Sequence, residues 1–114
     1  MIFVIDSNEV MRECVERILN KNHKKTKGFS NAIEAMREMS EINVPEMIFM
    51  DVMLTGPDGF TFLNEMASYP DTMKVPIVIF SEKDFAGVDL SEYNVIGFLD
   101  KRTMTPDEVM KYVR

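Results

Sequence analysis

Four apolar runs of strand length punctuate the chain, and a polar residue closes each of them. The runs span residues 1–5, 47–50, 77–80 and 95–99, and the polar residues that follow are Asp6, Asp51, Ser81 and the pair Asp100 and Lys101. Short uninterrupted apolar runs are typical of strands that are buried on both faces of a parallel sheet. The carboxyl ends of such strands meet at one edge, so we expect these polar groups to lie together there.

Segments with helical periodicity lie between the runs. The first extends from about residue 8 to residue 20. Its apolar positions form one broad stripe, made of Val10, Met11, Cys14, Val15, Ile18 and Leu19. The stripe predicts a helix packed against the sheet, with Cys14 as a core cysteine. A lysine-rich, solvated connection then leads into a short strand that ends near Phe29.

The later helices are predicted from their start and stop signals. Asn31 and Glu34 resemble a capping box and open a helix through Met39. A third helix begins at residues 58–59 and ends before residues 69–71. The next crossover, at residues 84–90, contains an interior glycine and predicts only a short or distorted helix. Thr105, followed at once by a proline, opens the last helix.

The alternation of strands and helices predicts an α/β fold built from βα units. A length of 114 residues fits one domain, spanning 1–114, with enough apolar content for one core. The last helix is short, so either the chain is trimmed there or the domain is minimal.

Composition excludes several classes of protein. The net charge of −6 argues against direct nucleic-acid binding, because phosphate contacts need a basic face. The single cysteine excludes a disulfide or a thiolate metal site within one chain. No apolar stretch approaches the length of a membrane span and no basic signal region precedes the first strand, so we expect a cytoplasmic protein without membrane contact.

The predicted edge carries the groups that phosphoryl transfer requires. A carboxylate can attack phosphorus and form an acyl phosphate, and Asp51 is the candidate nucleophile. The transferred group gathers negative charge, which needs a nearby cation and hydrogen-bond donors. Ser81 would supply a hydroxyl and Lys101 an ammonium. Mg²⁺ prefers carboxylates, a carbonyl and water as ligands, so Asp6 and Asp51 are candidate metal ligands.

These motifs resemble the receiver domain of bacterial two-component response regulators over the whole chain. The segments that carry the resemblance are Val4-Ile5-Asp6-Ser7-Asn8-Glu9 with Arg12, Met50-Asp51-Val52-Met53-Leu54-Thr55-Gly56-Pro57-Asp58-Gly59, Val75-Pro76-Ile77-Val78-Ile79-Phe80-Ser81 and Gly97-Phe98-Leu99-Asp100-Lys101. The resemblance implies a flavodoxin-like, doubly wound, five-stranded parallel sheet of order 2-1-3-4-5 with five flanking helices.

The resemblance also implies a function. Asp51 would accept a phosphoryl group from a histidine kinase or a phosphotransfer protein, and Ser81 and Lys101 would move toward it. Ser81 and Phe98 would form the switch, although Phe98 could also be a plain core residue. The switch would change affinity for a downstream effector or output domain. Such a protein is a phosphoacceptor rather than an enzyme, with self-catalysed phosphoryl transfer and dephosphorylation at most.

Several positions depart from the family pattern. The family usually has two consecutive acids after the first strand, but the second is Ser7 here. The Mg²⁺ site would therefore consist of Asp6, Asp51 and the backbone carbonyl of Met53, and we expect it to be weak. Glu82 stands where a small residue is usual, and it would crowd an incoming phosphoryl donor.

Other functions remain as alternatives. A degenerate receiver would work as a phosphorylation-independent interaction module, and Ser7, Glu82 and the short fourth crossover favour it. A small aspartyl-nucleophile phosphatase fits the Asp51 chemistry but lacks the second aspartate of an Asp-x-Asp pair, because Met53 occupies that position. A flavin-binding domain would need a phosphate-binding loop after the first strand, where this chain has acidic residues instead.

Overall fold

The described strands and helices alternate along the chain up to residue 81, as the sequence predicts. The computed structural model describes residues 1–41, 44–53, 59–82 and 89–113. The strands are β1 Ile2–Ile5, β2 Thr26–Phe29, β3 Met47–Met50, β4 Ile77–Ser81 and β5 Val95–Asp100. The helices are α1 Glu9–Lys21, α2 Ala32–Glu41, α3 Gly59–Ala67 and α4 Pro106–Met110.

The five strands form one sheet of order β2-β1-β3-β4-β5, and every neighbouring pair is parallel. This confirms the predicted doubly wound architecture. The number of helices differs from the expected five, because the described residues contain four. The predicted short helix of the fourth crossover falls mostly on residues 83–88, outside the described part of the chain.

Each face of the sheet carries its own apolar cluster. Alternate residues of a strand point to opposite faces, so Phe3 and Ile5 of β1 join a cluster with α2 and α3. Ile2 and Val4 join the other cluster, which α1 and α4 cover. β1, β3 and β4 are buried along their whole length, as their uninterrupted apolar sequences predict.

β5 is an exception to the prediction of four fully buried strands. It is an edge strand that pairs only with β4, and its residues alternate between covered and exposed. Ile96 is 43% exposed and Phe98 is 49% exposed. The alternative interpretation of Phe98 as a core residue is therefore wrong. An edge strand has a neighbour on one side only, so an apolar sequence does not ensure burial there.

The prediction that Cys14 is a core residue is wrong. Cys14 is exposed, and Val10, one turn earlier, is 74% exposed. α1 buries Val15 and Leu19 completely instead. A helix has 3.6 residues per turn, so the apolar positions of α1 spread over a broad part of its surface. The sheet covers only a narrower stripe of that surface.

The predicted helix starts are confirmed by their caps. Asn8 precedes α1, and its side chain accepts a hydrogen bond from the Met11 amide. Asn31 accepts from the Glu34 amide at 3.0 Å before α2. Thr105 and Glu108 form a reciprocal capping box at α4. Among the described helices, none is long and apolar enough to cross a membrane.

Candidate functional site at the carboxyl edge of the sheet

Asp6 lies at the carboxyl end of β1 and is 1% exposed. Its amide donates to the Phe29 carbonyl at 3.0 Å, which continues the pairing with β2 past the end of the strand. One carboxylate oxygen, Oδ1, accepts from the Asn8 amide at 3.0 Å. The carbonyl of Asp6 accepts from the Arg12 guanidinium at 2.7 Å. These contacts fix the carboxylate at the point where the chain turns from β1 into α1.

Asp51 lies at the carboxyl end of β3 and is held in a similar way. Its amide donates to the Ile5 carbonyl at 3.1 Å, so its backbone is tied to β1. Its Oδ1 accepts from the Met53 amide at 2.8 Å. The residue is 8% exposed, which leaves a small part of it open to solvent. A carboxylate at this edge is thus oriented by the backbone and accessible from outside.

Lys101 connects the two carboxylates. Its amide donates to the Ser81 carbonyl at 3.1 Å, so the pairing of β4 with β5 sets the point from which its side chain starts. The ammonium nitrogen Nζ lies 2.6 Å from Asp6 Oδ2 and 2.6 Å from Asp51 Oδ2. It also lies 5.2 Å from the centre of the Phe80 ring, and the side chain is only 6% exposed.

The pKa of Lys101 reflects this environment. Burial of the ammonium opposes its charge, but hydrogen bonds to Asp51 and Asp6 and their negative charges outweigh the desolvation. The pKa of Lys101 is therefore raised above its usual value. The ammonium stays charged at neutral pH, where it can stabilise negative charge on Asp51.

Ser81 ends β4 and is 4% exposed, at the same edge of the sheet. The strand order puts it one strand away from Asp51, as the sequence predicts. Its contribution as a hydroxyl donor stays a prediction. The role of the Met53 carbonyl as a metal ligand also stays a prediction. The recorded contact of Met53 with Asp51 is made by the Met53 amide.

The residues that depart from the family pattern lie around this centre. Ser7 is exposed, and so is Glu9 in the first turn of α1. Glu82 is exposed and directly follows Ser81. The pKa of Arg102 is raised mainly by its hydrogen bond to Asp100 and the charge of Asp100, and to a smaller extent by the charge of Glu82. The charges of Glu9 and Glu82 thus lie outside the buried cluster of Asp6, Asp51 and Lys101.

Two contacts were not predicted from the sequence. Asn8 holds Asp6 through its amide while its side chain caps α1, so one residue orients the carboxylate and starts the helix. Arg102 binds the Asp100 carboxylate through Nε at 3.0 Å and Nη2 at 2.9 Å. The Asp6-x-Asn8 spacing, an aspartate two residues before a helix cap, was the available signal for the first contact.

The donor set fits a hard divalent cation. Asp6 Oδ2 is buried, and its partner among the described residues is the Lys101 ammonium at 2.6 Å. Such an oxygen, beside a second carboxylate, is suited to a cation such as Mg²⁺. The described part of the chain contains no group of three acidic, histidine or cysteine side chains that could hold a metal. Among the described residues, Asp6 and Asp51 are the carboxylates that meet at Lys101. The weak Mg²⁺ site expected from Ser7 stays a prediction.

A buried pair of aspartates and a lysine, on the carboxyl edge of a 2-1-3-4-5 sheet, defines a class of signalling proteins. The sequence matches the family described as response regulator receiver domain over residues 2–114. The chain belongs to this family. Receiver domains of the family are signalling switches rather than enzymes, are generally phosphorylated on an aspartate and generally bind Mg²⁺ at an acidic pocket.

Individual relatives agree with this assignment. The chain is 28% identical over 113 residues to the response regulator PleD of Caulobacter vibrioides, which covers 99% of this chain and 24% of PleD. It is 27% identical over 105 residues to the Fimbriae Z protein of Escherichia coli, covering 88% of this chain and 48% of that protein. The chain thus spans about a quarter of the length of PleD and about half of the length of the Fimbriae Z protein.

Solved structures show the same fold. The receiver domain of NtrX from Brucella abortus superposes with a TM-score of 0.83 at 22% identity, covering 97% of this chain and 92% of that chain. The chemotaxis response regulator CheY4 of Vibrio cholerae superposes with a TM-score of 0.82 at 17% identity, covering 96% and 92%. At these identities the likeness concerns the fold.

Proposed function

We propose that Asp51 accepts a phosphoryl group from a histidine kinase or a phosphotransfer protein, and that the modified domain changes its affinity for an effector protein or output domain. The observation that carries the proposal is the environment of Asp51. Its carboxylate is held at a partly open edge by the Met53 amide, with the Lys101 ammonium 2.6 Å away. We also propose that the protein acts in the cytoplasm, as expected from the sequence.

The residues of the site suit the reaction. An oxygen of Asp51 attacks phosphorus, the new O–P bond forms, and the bond from phosphorus to the donor's nitrogen or oxygen breaks. Lys101 neutralises charge on the transferred group, and the Ser81 hydroxyl donates to one of its oxygens. Asp6, Asp51 and the Met53 carbonyl would hold Mg²⁺, which when bound supplies positive charge to the phosphoryl oxygens.

The switch follows from the same charges. In the unmodified protein Lys101 pairs with Asp51, and a phosphoryl group would place additional negative charge beside it. Ser81 and Lys101 begin at the ends of β4 and β5, so a movement of their side chains would alter the surface of these strands. Phe98 is half exposed on β5 and would report this change to a partner.

The experiment is intact-mass spectrometry after incubation with acetyl phosphate and Mg²⁺. We expect one added phosphoryl group, removed by hydroxylamine as an acyl phosphate is. Asp51→Asn should abolish the modification, whereas the matched control Asp71→Asn, at an exposed turn, should retain it. Modification that persists in Asp51→Asn would overturn the assignment of the phosphoacceptor.

A second candidate is the degenerate receiver that binds its partner without phosphorylation. The observation that favours it is the neutral, exposed Ser7 in place of the second acid. The same mass spectrum separates the two functions. If neither acetyl phosphate nor a phosphorylated kinase modifies the wild-type protein, the interaction module becomes the better description.

A further inference from the structure

An apolar groove lies at the amino edge of the sheet, opposite the edge that carries Asp51. α2 and α3 each connect two parallel strands, so both helices end at this amino edge. Met36 and Met39 line the groove from α2, and Met66 and Tyr69 line it from the end of α3. Its volume of about 370 Å³ is within the range of pockets that bind ligands.

The side chains of the groove suit an apolar partner. Met66 is buried at 3% exposure, whereas Tyr69 is 57% exposed and leaves its ring open to solvent. Val44, which also lines the groove, is exposed as well. Methionine side chains are flexible and polarisable, so a surface that contains three of them can adapt to the shape of an apolar partner.

The electrostatic environment of the groove favours a positively charged partner. Glu65 and Asp71 line it, and none of the described lining residues is basic. The carboxyl ends of helices carry partial negative charge. Neither α2 nor α3, as the structure describes them, has a basic residue in its last turn, whereas α1 has Lys21 there. The Met66 carbonyl accepts a hydrogen bond at 2.7 Å from the neutral hydroxyl of Thr72.

We propose that this groove binds a basic amphipathic helix of a partner protein. Apolar side chains on one face of that helix would contact the three methionines, and lysine or arginine side chains beside that face would lie near Glu65 and Asp71. A basic side chain could also stack on the exposed Tyr69 ring. The inference goes beyond the proposed function. It requires no phosphoryl group, because the groove and Asp51 lie at opposite edges of the sheet.

A second copy of this chain is a poorer occupant of the groove. α1 carries equal numbers of acidic and basic residues, and α2, α3 and α4 carry more acidic than basic residues. None of these four described helices therefore offers a basic amphipathic face. The net charge of −6 also opposes the approach of two copies, whereas it attracts a basic partner.

The first test follows the methionine methyl groups by NMR in protein labelled with ¹³C at the ε-methyl carbon. The probe is an acetylated, amidated peptide of about 18 residues, with leucine at positions i, i+3, i+4 and i+7 and lysine elsewhere, in about 0.15 M salt. The signals of Met36, Met39 and Met66 should shift together, while that of Met53, half exposed at the opposite edge, stays in place. Equal shifts of Met53, or no shift of any methionine, overturn the proposal.

The second test separates the groove from the overall negative charge, by fluorescence anisotropy of the labelled peptide. Glu65→Lys reverses an exposed charge at the groove and should weaken binding at least about tenfold. The matched control Glu13→Lys makes the same change in net charge on α1, which covers the other face of the sheet, and should weaken binding less than about threefold. Equal affinities of these two variants overturn the proposal.

A third variant tests the apolar contact without changing the net charge. Tyr69→Ala removes an exposed ring, so the fold should be retained, and binding of the peptide should weaken about tenfold. Unchanged binding contradicts the proposal. Sedimentation without peptide should show a monomer, and a dimer that Tyr69→Ala dissociates would assign the groove to a second copy instead. None of these measurements contains a phosphodonor, so they are independent of whether Asp51 is phosphorylated.

Discussion

Gly59 allows α3 to start directly against the backbone next to Asp51, the proposed phosphoacceptor. It is the buried first residue of α3, and its amide donates to the Val52 carbonyl at 2.9 Å. A Cβ atom added at Gly59 would lie 2.3 Å from the Cα of Val52 and 2.6 Å from its carbonyl oxygen. Both contacts are with backbone, so no side-chain rotation can relieve them. We predict that Gly59→Ala displaces the chain next to Asp51.

The expected cost can be worked from opposing effects. Alanine is better than glycine within a helix by up to about 1 kcal/mol. Overpacking of a buried site typically costs about 1–3 kcal/mol, and a clash with backbone belongs at the upper end. The net loss in the free energy of unfolding should be about 2 kcal/mol, which corresponds to a fall in Tm of about 8 °C for a domain of this size.

Gly28→Ala is the matched control. A Cβ atom there would lie 2.8 Å from Oε2 of Glu16, the far end of a flexible side chain, and 3.1 Å from Cδ of Arg12. These side chains can move, and alanine is favoured over glycine within a strand by about 0.5–1 kcal/mol. We therefore expect Gly28→Ala to change stability by less than about 0.5 kcal/mol.

The assay is equilibrium urea unfolding followed by circular dichroism, with labelling by acetyl phosphate measured on the same samples. Gly59→Ala should unfold at lower urea with an unchanged slope. It should also accept a phosphoryl group about tenfold more slowly. Misalignment of Asp51 needs to raise the activation free energy by only about 1.4 kcal/mol to slow the rate tenfold. A Gly59→Ala protein as stable as Gly28→Ala would refute the reasoning from the backbone clash.

Three further predictions concern the charges of the site. Ser7→Asp should tighten Mg²⁺ binding by about tenfold, whereas the control Ser30→Asp, directly after β2 and exposed, should not. Equal Mg²⁺ affinities of the two variants would reject the explanation that the absence of an acid at residue 7 weakens the metal site. Glu82→Ala should speed both phosphorylation by acetyl phosphate and hydrolysis by about tenfold, because exposed like charge and bulk are removed; unchanged rates would mean that Glu82 points away from the site. The stabilisation from Lys101, whose folded pKa is raised, is complete below about pH 10.5 and lost as pH rises through that folded pKa. The difference in unfolding free energy between wild type and Lys101→Met should thus shrink at alkaline pH, and a constant difference would contradict the ion-pair explanation.

Much of the site follows from local sequence. Each strand is a short apolar run, and the residue after it emerges at the carboxyl edge in any parallel sheet. For this reason the sequence alone was enough to expect Asp6, Asp51, Ser81 and Lys101 at a common edge. The helix caps, such as Asn8 and Thr105, are equally local, because a cap bonds an amide only a few residues away.

Burial was less predictable, because it depends on which elements are neighbours. Cys14 and Val10 have the apolar character of the core but lie on the side of α1 that does not reach the sheet. Phe98 belongs to an apolar run like those of β1 and β3, yet β5 is at the edge and leaves it half exposed. The hydrophobic pattern of one element does not record how much of its surface a partner covers.

The sequence by itself determined the order of elements, their periodicity and the chemical groups available at the edge. The tertiary structure decided that the Lys101 ammonium lies between Asp6 and Asp51 rather than beside one of them. Periodicity and capping act over a few residues, whereas this contact joins groups that are far apart in the chain. Their separation is set by the register of β4 against β5 and by the position of the lysine ammonium over the Phe80 ring, and these are properties of the folded sheet.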